Sequence, residues 1–248
     1  MRHVSYRLLP ILIFLSLFLF PSTAHTQEAG ECVISQEAGE CVVSAFPHPA
    51  LADGDGTYLS LMPTYGYADT WNGREAFISS IASTYDPSSE ETRQGYRSIH
   101  LDRWHIRAEV SAMDSMALYR FTFPKGNRYA NVVLDLVGEA DEGRVEARIW
   151  PQDFFTLLGY RTLKGEASDT LFYAVCFDRP ADEFVQDSLE AHYCQSVFDV
   201  TPGTRLMAWV TVSMRSEAEA FDRFKKMMVL MSEARRKQEE KTEDNKGE

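Results

Sequence analysis

Residues Tyr96–Leu136 read YRSIHLDRWHIRAEVSAMDSMALYRFTFPKGNRYANVVLDL. Apolar and polar side chains alternate here in three quick runs, the period of strands with one buried face. The stretch therefore predicts a β-meander. Outward from it, further strands are expected near 143–150, 156–163, 171–178, 191–200 and 206–214, after those at 96–102, 106–113, 116–124 and 130–138. They are rich in Val, Tyr, Phe and Thr, which suit a pleated, half-buried surface. Val132-Val133-Leu134 and Ala208-Trp209-Val210 are nearly continuous apolar runs, as expected of strands placed centrally. Many short strands at regular spacing predict a mainly β chain folded as an antiparallel β-sandwich. Ahead of the meander, Thr57–Met62 reads as a first strand and Arg74–Thr84 as a short amphipathic helix. At Ser216 the period changes. Residues 217–243 have helical spacing, with Phe221, Phe224, Met228 and Met231 on one stripe. Ser216 suits an N-cap and Glu219 completes a capping box. Arg235–Glu248 is almost wholly polar and is expected to form a solvated tail. The sandwich is thus assigned to 57–216, and the helix with its tail to 217–248.

The meander also resembles a known family. Ala108-Glu109-Val110-Ser111-Ala112, Tyr119-Arg120-Phe121-Thr122-Phe123-Pro124 and Asn131-Val132-Val133-Leu134-Asp135-Leu136 are similar to segments of the types AELTAT, RYTFP and NVLLDL. These occur in that order in the N-terminal β-sandwich domain of family 92 glycoside hydrolases, the secreted, calcium-dependent exo-α-mannosidases. Leu171–Phe177 and Met207–Ala220 resemble later segments of the same domain, so the likeness runs from about Tyr85 to Phe221. It implies a sandwich of the galactose-mutarotase-like supersandwich type. It also implies where chemistry is not expected. The family's catalytic carboxylates and calcium ligands lie in a large α/α-barrel domain, which is expected to be absent from this chain. Neither a catalytic residue nor a metal or other cofactor is therefore expected here. One family segment, of the type GFSHTHLSGTG, helps line the sugar pocket and has no counterpart between Trp71 and Tyr85.

Residues 1–24 read as a secretory signal peptide. Arg2 and Arg7 precede an apolar run, Leu8–Phe20, and Ser22-Thr23-Ala24 supplies a small-residue cleavage site. That run is shorter than the roughly 20 residues a membrane span needs, so no span is expected after its removal, and the chain is expected to be secreted or periplasmic. Losing Arg2 and Arg7 takes the net charge from −12 to −14. Such a field repels a phosphate backbone and excludes nucleic acid as a partner. Residues 25–56 read as leader and loop. They contain a tandem duplication, QEAGECVIS at 27–35 followed by QEAGECVVS at 36–44; two copies are too few for a stacked repeat fold. Cys32 and Cys41 lie in the two copies. The other two cysteines, Cys176 and Cys194, fall on strands expected to form a hairpin, which predicts a disulfide between them.

No catalytic triad or phosphate loop is readable. His100 and His105 lie five apart, so on one strand they would face opposite ways and share no metal. Asp135 lies in an apolar strand, with Arg120 as its expected partner across the meander. The best local candidate for ligand contact is the loop with Tyr65, Tyr67, Asp69, Trp71 and Asn72, joined by Trp104. Exposed rings stack on the C–H face of a pyranose while amides and carboxylates fix its hydroxyls. The competing reading of those rings is that they close one end of the sandwich. The expected function is that of a carbohydrate-binding or accessory domain for mannose-containing glycans, without hydrolytic activity of its own. Two alternatives stand beside it. The C-terminal helix could dock a separately encoded catalytic domain, or the chain could be a truncated remnant of a family 92 glycosidase.

Overall fold

The computed structural model describes residues 34–37, 40–51, 58–69, 72–113, 116–124, 129–138, 142–164, 170–186 and 191–244. In chain order the elements begin with β1 (Ile34–Glu37), β2 (Glu40–Val43), β3 (Phe46–Pro47), β4 (Ser60–Thr64), α1 (Arg74–Ile81), β5 (Ser83–Tyr85), β6 (Glu91–Arg93) and β7 (Tyr96–Leu101). There follow β8 (Ile106–Met113), β9 (Met116–Thr122), β10 (Tyr129–Asp135), β11 (Val145–Asp153), β12 (Thr156–Leu163) and β13 (Leu171–Phe177). The chain closes with β14 (Glu183–Val185), β15 (Tyr193–Asp199), β16 (Arg205–Ser213) and α2 (Glu217–Asp244).

A large antiparallel sheet runs β11-β12-β13-β16-β9-β8-β7-β6, and a small one runs β14-β15-β10-β4-β3. The two inner faces meet in one apolar core that includes Tyr119, Phe121, Val132, Leu134, Val175 and Phe198. Phe177 and Phe198 touch edge to face across it at 5.0 Å. His48, also fully buried, bridges the sheets by donating from Nε2 to Val210 O at 3.3 Å. Burial lowers its pKa to about 4 although the carbonyl pulls the other way, because a dry core disfavours the charged ring. At Gly159 the core tolerates no side chain. A Cβ there would lie 2.1 Å from Arg148 O and 2.2 Å from the Tyr173 hydroxyl, which crosses the gap to donate to that carbonyl.

The outer face of the large sheet is covered on one side by α2. Ser216 caps the helix by accepting from Glu219 N–H, while the Glu219 carboxylate turns to Arg223. Phe221 and Phe224 pack on Leu158, Ala174 and Cys176; Phe224, Met227 and Met228 pack on Met116, Leu118 and Trp209. The apolar stripe read from the sequence is therefore spent largely on the chain's own sheet. The helix continues to Asp244, past the point where a loose tail was expected.

Several expectations are corrected. Residues 25–56 are not all leader, since β1, β2 and β3 lie within them and β1-β2-β5 form a third sheet. The first expected strand is shifted to Ser60–Thr64, and the short helix stops at Ile81. Cys176 and Cys194 are free thiols. Their strands form no hairpin: β13 pairs with β12 and β16, whereas β15 pairs with β10 and β14. Cys176 faces α2 and Cys194 faces the core between the sheets, so the two point into different layers. Arg120 does not meet Asp135. It lies opposite Glu109 on the neighbouring strand and binds it through two nitrogens. His100 and His105 flank a tight turn rather than one strand, which brings their ring centroids to 6.2 Å.

Candidate functional site

The small sheet carries polar side chains on the face turned away from the core. Asn131 lies beside Thr64, and Asp135 beside both Ser60 and Tyr193; Gln195 sits beside Val133 between those rows. All of them are buried. Buried polar groups need partners, and most of these come from the loop 65–72 and from α1. Asn131 Nδ2 donates to Gly66 O at 2.8 Å, and Ala68 N–H donates to Gln195 Oε1 at 2.7 Å. Asp69 N–H donates to Ser80 Oγ on α1 at 2.9 Å. The loop is thus fastened to both the sheet and the helix. Ser60 Oγ, Thr64 Oγ1 and Gln195 Nε2 have no hydrogen-bond partner among the described residues.

At the start of α1 the same face becomes charged. Arg74 donates to Asp135 Oδ2 at 2.9 Å, to Gly138 O at 2.8 Å and to the Tyr193 hydroxyl at 3.3 Å. Burial alone would lower the Arg74 pKa, but the Asp135 carboxylate outweighs it and the net shift is upward. Tyr193 donates onward to Glu142 Oε1 at 3.0 Å, and its ring stacks on Phe77 at 3.9 Å. His192 completes the chain. Its Nδ1 lies 3.5 Å from Glu142 Oε1, and its Nε2 donates to Val145 O at 3.1 Å. The two carboxylates of this cluster are held by a guanidinium and a phenol, which suits positioning rather than proton transfer.

Sequence reasoning placed Tyr65, Tyr67, Asp69 and Asn72 in one loop, and the structure keeps them together with unequal freedom. Tyr67 is 69% exposed. Tyr65 is half-buried with its ring edge-on to Phe123 at 5.5 Å. Its hydroxyl is buried without a partner among the described residues, and burial pushes its pKa up to about 12. The Asp69 carboxylate accepts from Asn72 N–H at 3.2 Å and from Asn72 Nδ2 at 2.8 and 3.0 Å, so these two staple the loop to itself. Trp71 lies outside the described residues. Trp104 is not a free platform. It sits in the β7–β8 turn, its indole N–H donates to Ile81 O at 3.3 Å, and the Arg103 guanidinium covers its ring at 4.4 Å.

Asn131, Asp135, Gln195 and Thr64 were missed as a group. Their signal is polar residues two and four apart in strands that are otherwise apolar, which marks a covered face that is not the core.

The family model described as the glycosyl hydrolase family 92 N-terminal domain matches residues 35–219. No curated protein sequence matches the chain. Among solved structures, the family GH92 α-mannosidase BT3965 from Bacteroides thetaiotaomicron superposes with a TM-score of 0.59 at 17% identity, over 76% of this chain and 31% of that one. The family GH92 inverting mannosidase BT2199 from Bacteroides thetaiotaomicron VPI-5482 gives 0.58 at 16% identity, over 84% of this chain and 30% of that one. A GH92 family glycosyl hydrolase, ccman5, gives 0.56 at 21% identity, over 72% and 27%. The chain spans about a third of the length of these proteins. The superpositions share the sandwich fold, the family model covers most of the sequence, and the chain belongs to the family of glycosyl hydrolase family 92 N-terminal domains.

Proposed function

We propose that this chain is an exported accessory domain that binds mannose-containing glycans weakly through the loop 65–72 and hydrolyses none itself. The observation that carries the reading is Tyr67, a ring 69% exposed on a loop tied at Gly66, Ala68 and Asp69 to the layers beneath. A ring on a fastened support stacks on a sugar at low entropic cost. Asp69 and Asn72 are engaged with each other, and in this reading that exposed pair on the same loop fixes the sugar hydroxyls. One ring with a few polar contacts contributes roughly 1–3 kcal/mol, which corresponds to a site of millimolar affinity or weaker.

The test is a calorimetric titration with mannobiose and an array of high-mannose glycans, comparing the parent chain with Tyr67→Ala. Binding lost in the variant supports the reading. No binding by the parent, or equal binding by both proteins, overturns it. The non-catalytic half is checked separately. The purified chain with calcium should release no mannose from α-linked oligosaccharides, and release abolished by one Asp or Glu substitution would refute it.

The partner reading is weakened by the packing of α2, whose Phe and Met stripe is largely covered. It retains Val229 and Leu230, 55% and 58% exposed on the opposite side. Mannose release that appears only when a family catalytic domain is supplied in trans would restore it.

A further inference from the structure

Two exposed imidazoles meet at the β7–β8 turn. His100 is the penultimate residue of β7, and His105 closes the turn just before Ile106, which pairs with Leu101. Ile99, Leu101, Ile106 and Ala108 are fully buried. The alternate positions His100 and Arg107 therefore face outward, and His105 continues the outward row. The two rings lie exposed on that face with centroids 6.2 Å apart and planes inclined by 36°.

Two features build this pair. His105 has a φ of 52° and is the one non-glycine residue in the left-handed region among the described residues. That conformation is costly for a residue with a Cβ, and such strain collects at functional positions. Here it brings the His105 ring back over the face that carries His100. The turn is also fastened at three successive residues to α1, β5 and the residue between them. Asp102 N–H donates to Thr84 O at 2.9 Å and Arg103 N–H to Ser83 Oγ at 3.0 Å. The Arg103 guanidinium donates to Ser79 O at 2.8 Å and Ala82 O at 3.0 Å, and the Trp104 indole to Ile81 O at 3.3 Å. The backbone under both rings is held, while the rings stay in water.

We propose that His100 and His105 chelate a borderline divalent transition-metal ion, Zn2+ by preference, with water completing its shell. Metal–nitrogen bonds of about 2.0–2.1 Å place two imidazoles on a tetrahedral ion with centroids roughly 5 Å apart. Rotation of the exposed side chains closes the difference without moving the backbone. Nitrogen ligands favour zinc, copper or nickel over calcium, which takes oxygen. The surroundings accept the added charge. Arg107 lies opposite His100, but its guanidinium is turned to Glu91 at 3.2 Å and Glu109 at 3.8 Å. The Arg103 guanidinium is spent on carbonyls and on the Trp104 ring. Asp102 is exposed in the same turn. Among the described residues no third histidine, cysteine or carboxylate joins the pair, so the site is a two-ligand chelate of modest affinity. It lies apart from the loop 65–72 and stands independently of the glycan reading.

The test is a calorimetric titration of the tag-free chain with Zn2+ at neutral pH. The parent should bind one ion that excess Ca2+ does not displace. His100→Ala and His105→Ala should each weaken binding by about tenfold or more, since losing a ligand costs no less than losing its outer partner. His105→Gly should lose the ion equally; glycine accepts the left-handed turn without strain, so this variant keeps the test open should alanine disturb the turn. Binding by the parent should vanish at about pH 5, because imidazole must shed its proton to act as a ligand. The proposal is overturned if the parent binds no zinc, if any of the three variants binds it as tightly as the parent, or if binding survives the acid pH.

Discussion

The two halves of the large sheet's outer face share strands, register and inner core, yet end differently. Over β12, β13, β16 and part of β9 the outward side chains are Leu158, Ala174, Cys176, Trp209, Met116 and Leu118, and α2 lies on them. Over β6, β7 and β8, with the end of β9, they form a polar ladder around Glu109. Arg120 and the Tyr96 hydroxyl bind that carboxylate, and Arg107 joins it to Glu91. The inner positions make the sheet; the outer ones decide whether another element covers it. An apolar outer row loses free energy while exposed, whereas a row of paired charges is satisfied without a cover.

The comparison breaks most visibly at Trp209, which is 2% exposed and sits 6.1 Å from Phe224. Trp209→Ala should cost about 4 kcal/mol in denaturant unfolding and loosen α2, seen as faster amide exchange from Phe221 to Met228. Next comes Gly159, beneath the covered half. Gly159→Ala should cost about 3 kcal/mol, because the nearest atom is backbone and cannot retreat. Gly159→Ala combined with Tyr173→Phe relieves only the hydroxyl clash and should recover a minor part.

The two halves should also differ in their response to acid. His48 binds Val210 behind the covered half. Its folded pKa of about 4 lies below the usual 6.5, so the unfolded chain takes up the proton first. Its contribution is whole above pH 6.5 and is lost as pH falls toward 4, by roughly 3 kcal/mol in all. A stability profile over that range should flatten in His48→Gln. On the charged half, burial raises the Glu109 pKa, but hydrogen bonds from Arg120 and Tyr96 outweigh it and the net shift is downward. Its contribution is present above the ordinary carboxylate pKa of 4.5 and fades only as pH falls below it. Glu109→Gln at neutral pH should cost about 1–2 kcal/mol, since Arg120 is left partly buried without its charge partner. The smallest effect belongs to Arg93→Ala at the solvent edge, expected within about 0.5 kcal/mol. A large loss there would mean that the ladder acts as one unit.

Much of the fold was legible. The strands from β7 to β16 follow the alternation closely except for the short β14, which falls in a stretch with no expected strand; β8 and β12 lie at the expected bounds, because the period of two is written by burial on the inner face. Pairing was less legible. Asp135 and Arg120 share a meander, but β9 lies next to β8 and β16, not β10, and no local signal says which sheet a strand will join. The cysteine hairpin failed for that reason. The loop holding Tyr65 and Tyr67 was readable from its composition. The covered polar face beneath it was not, since a buried Asn or Asp in a strand looks the same whatever lies above it. The N-terminal hairpin was hidden because a recent repeat of small and acidic residues has the composition of a leader.

The two ends of the large sheet have a consequence for the molecule in crowded solution. At one end the nine-residue β11 loses its register between Pro151 and Asp153, and Pro151 has no N–H to offer an incoming strand. At the other, β6 is three residues long, every one exposed and two of them charged. A sheet guarded this way does not template its own extension, so concentrating the protein should raise light scattering no faster than repulsion between like-charged particles allows.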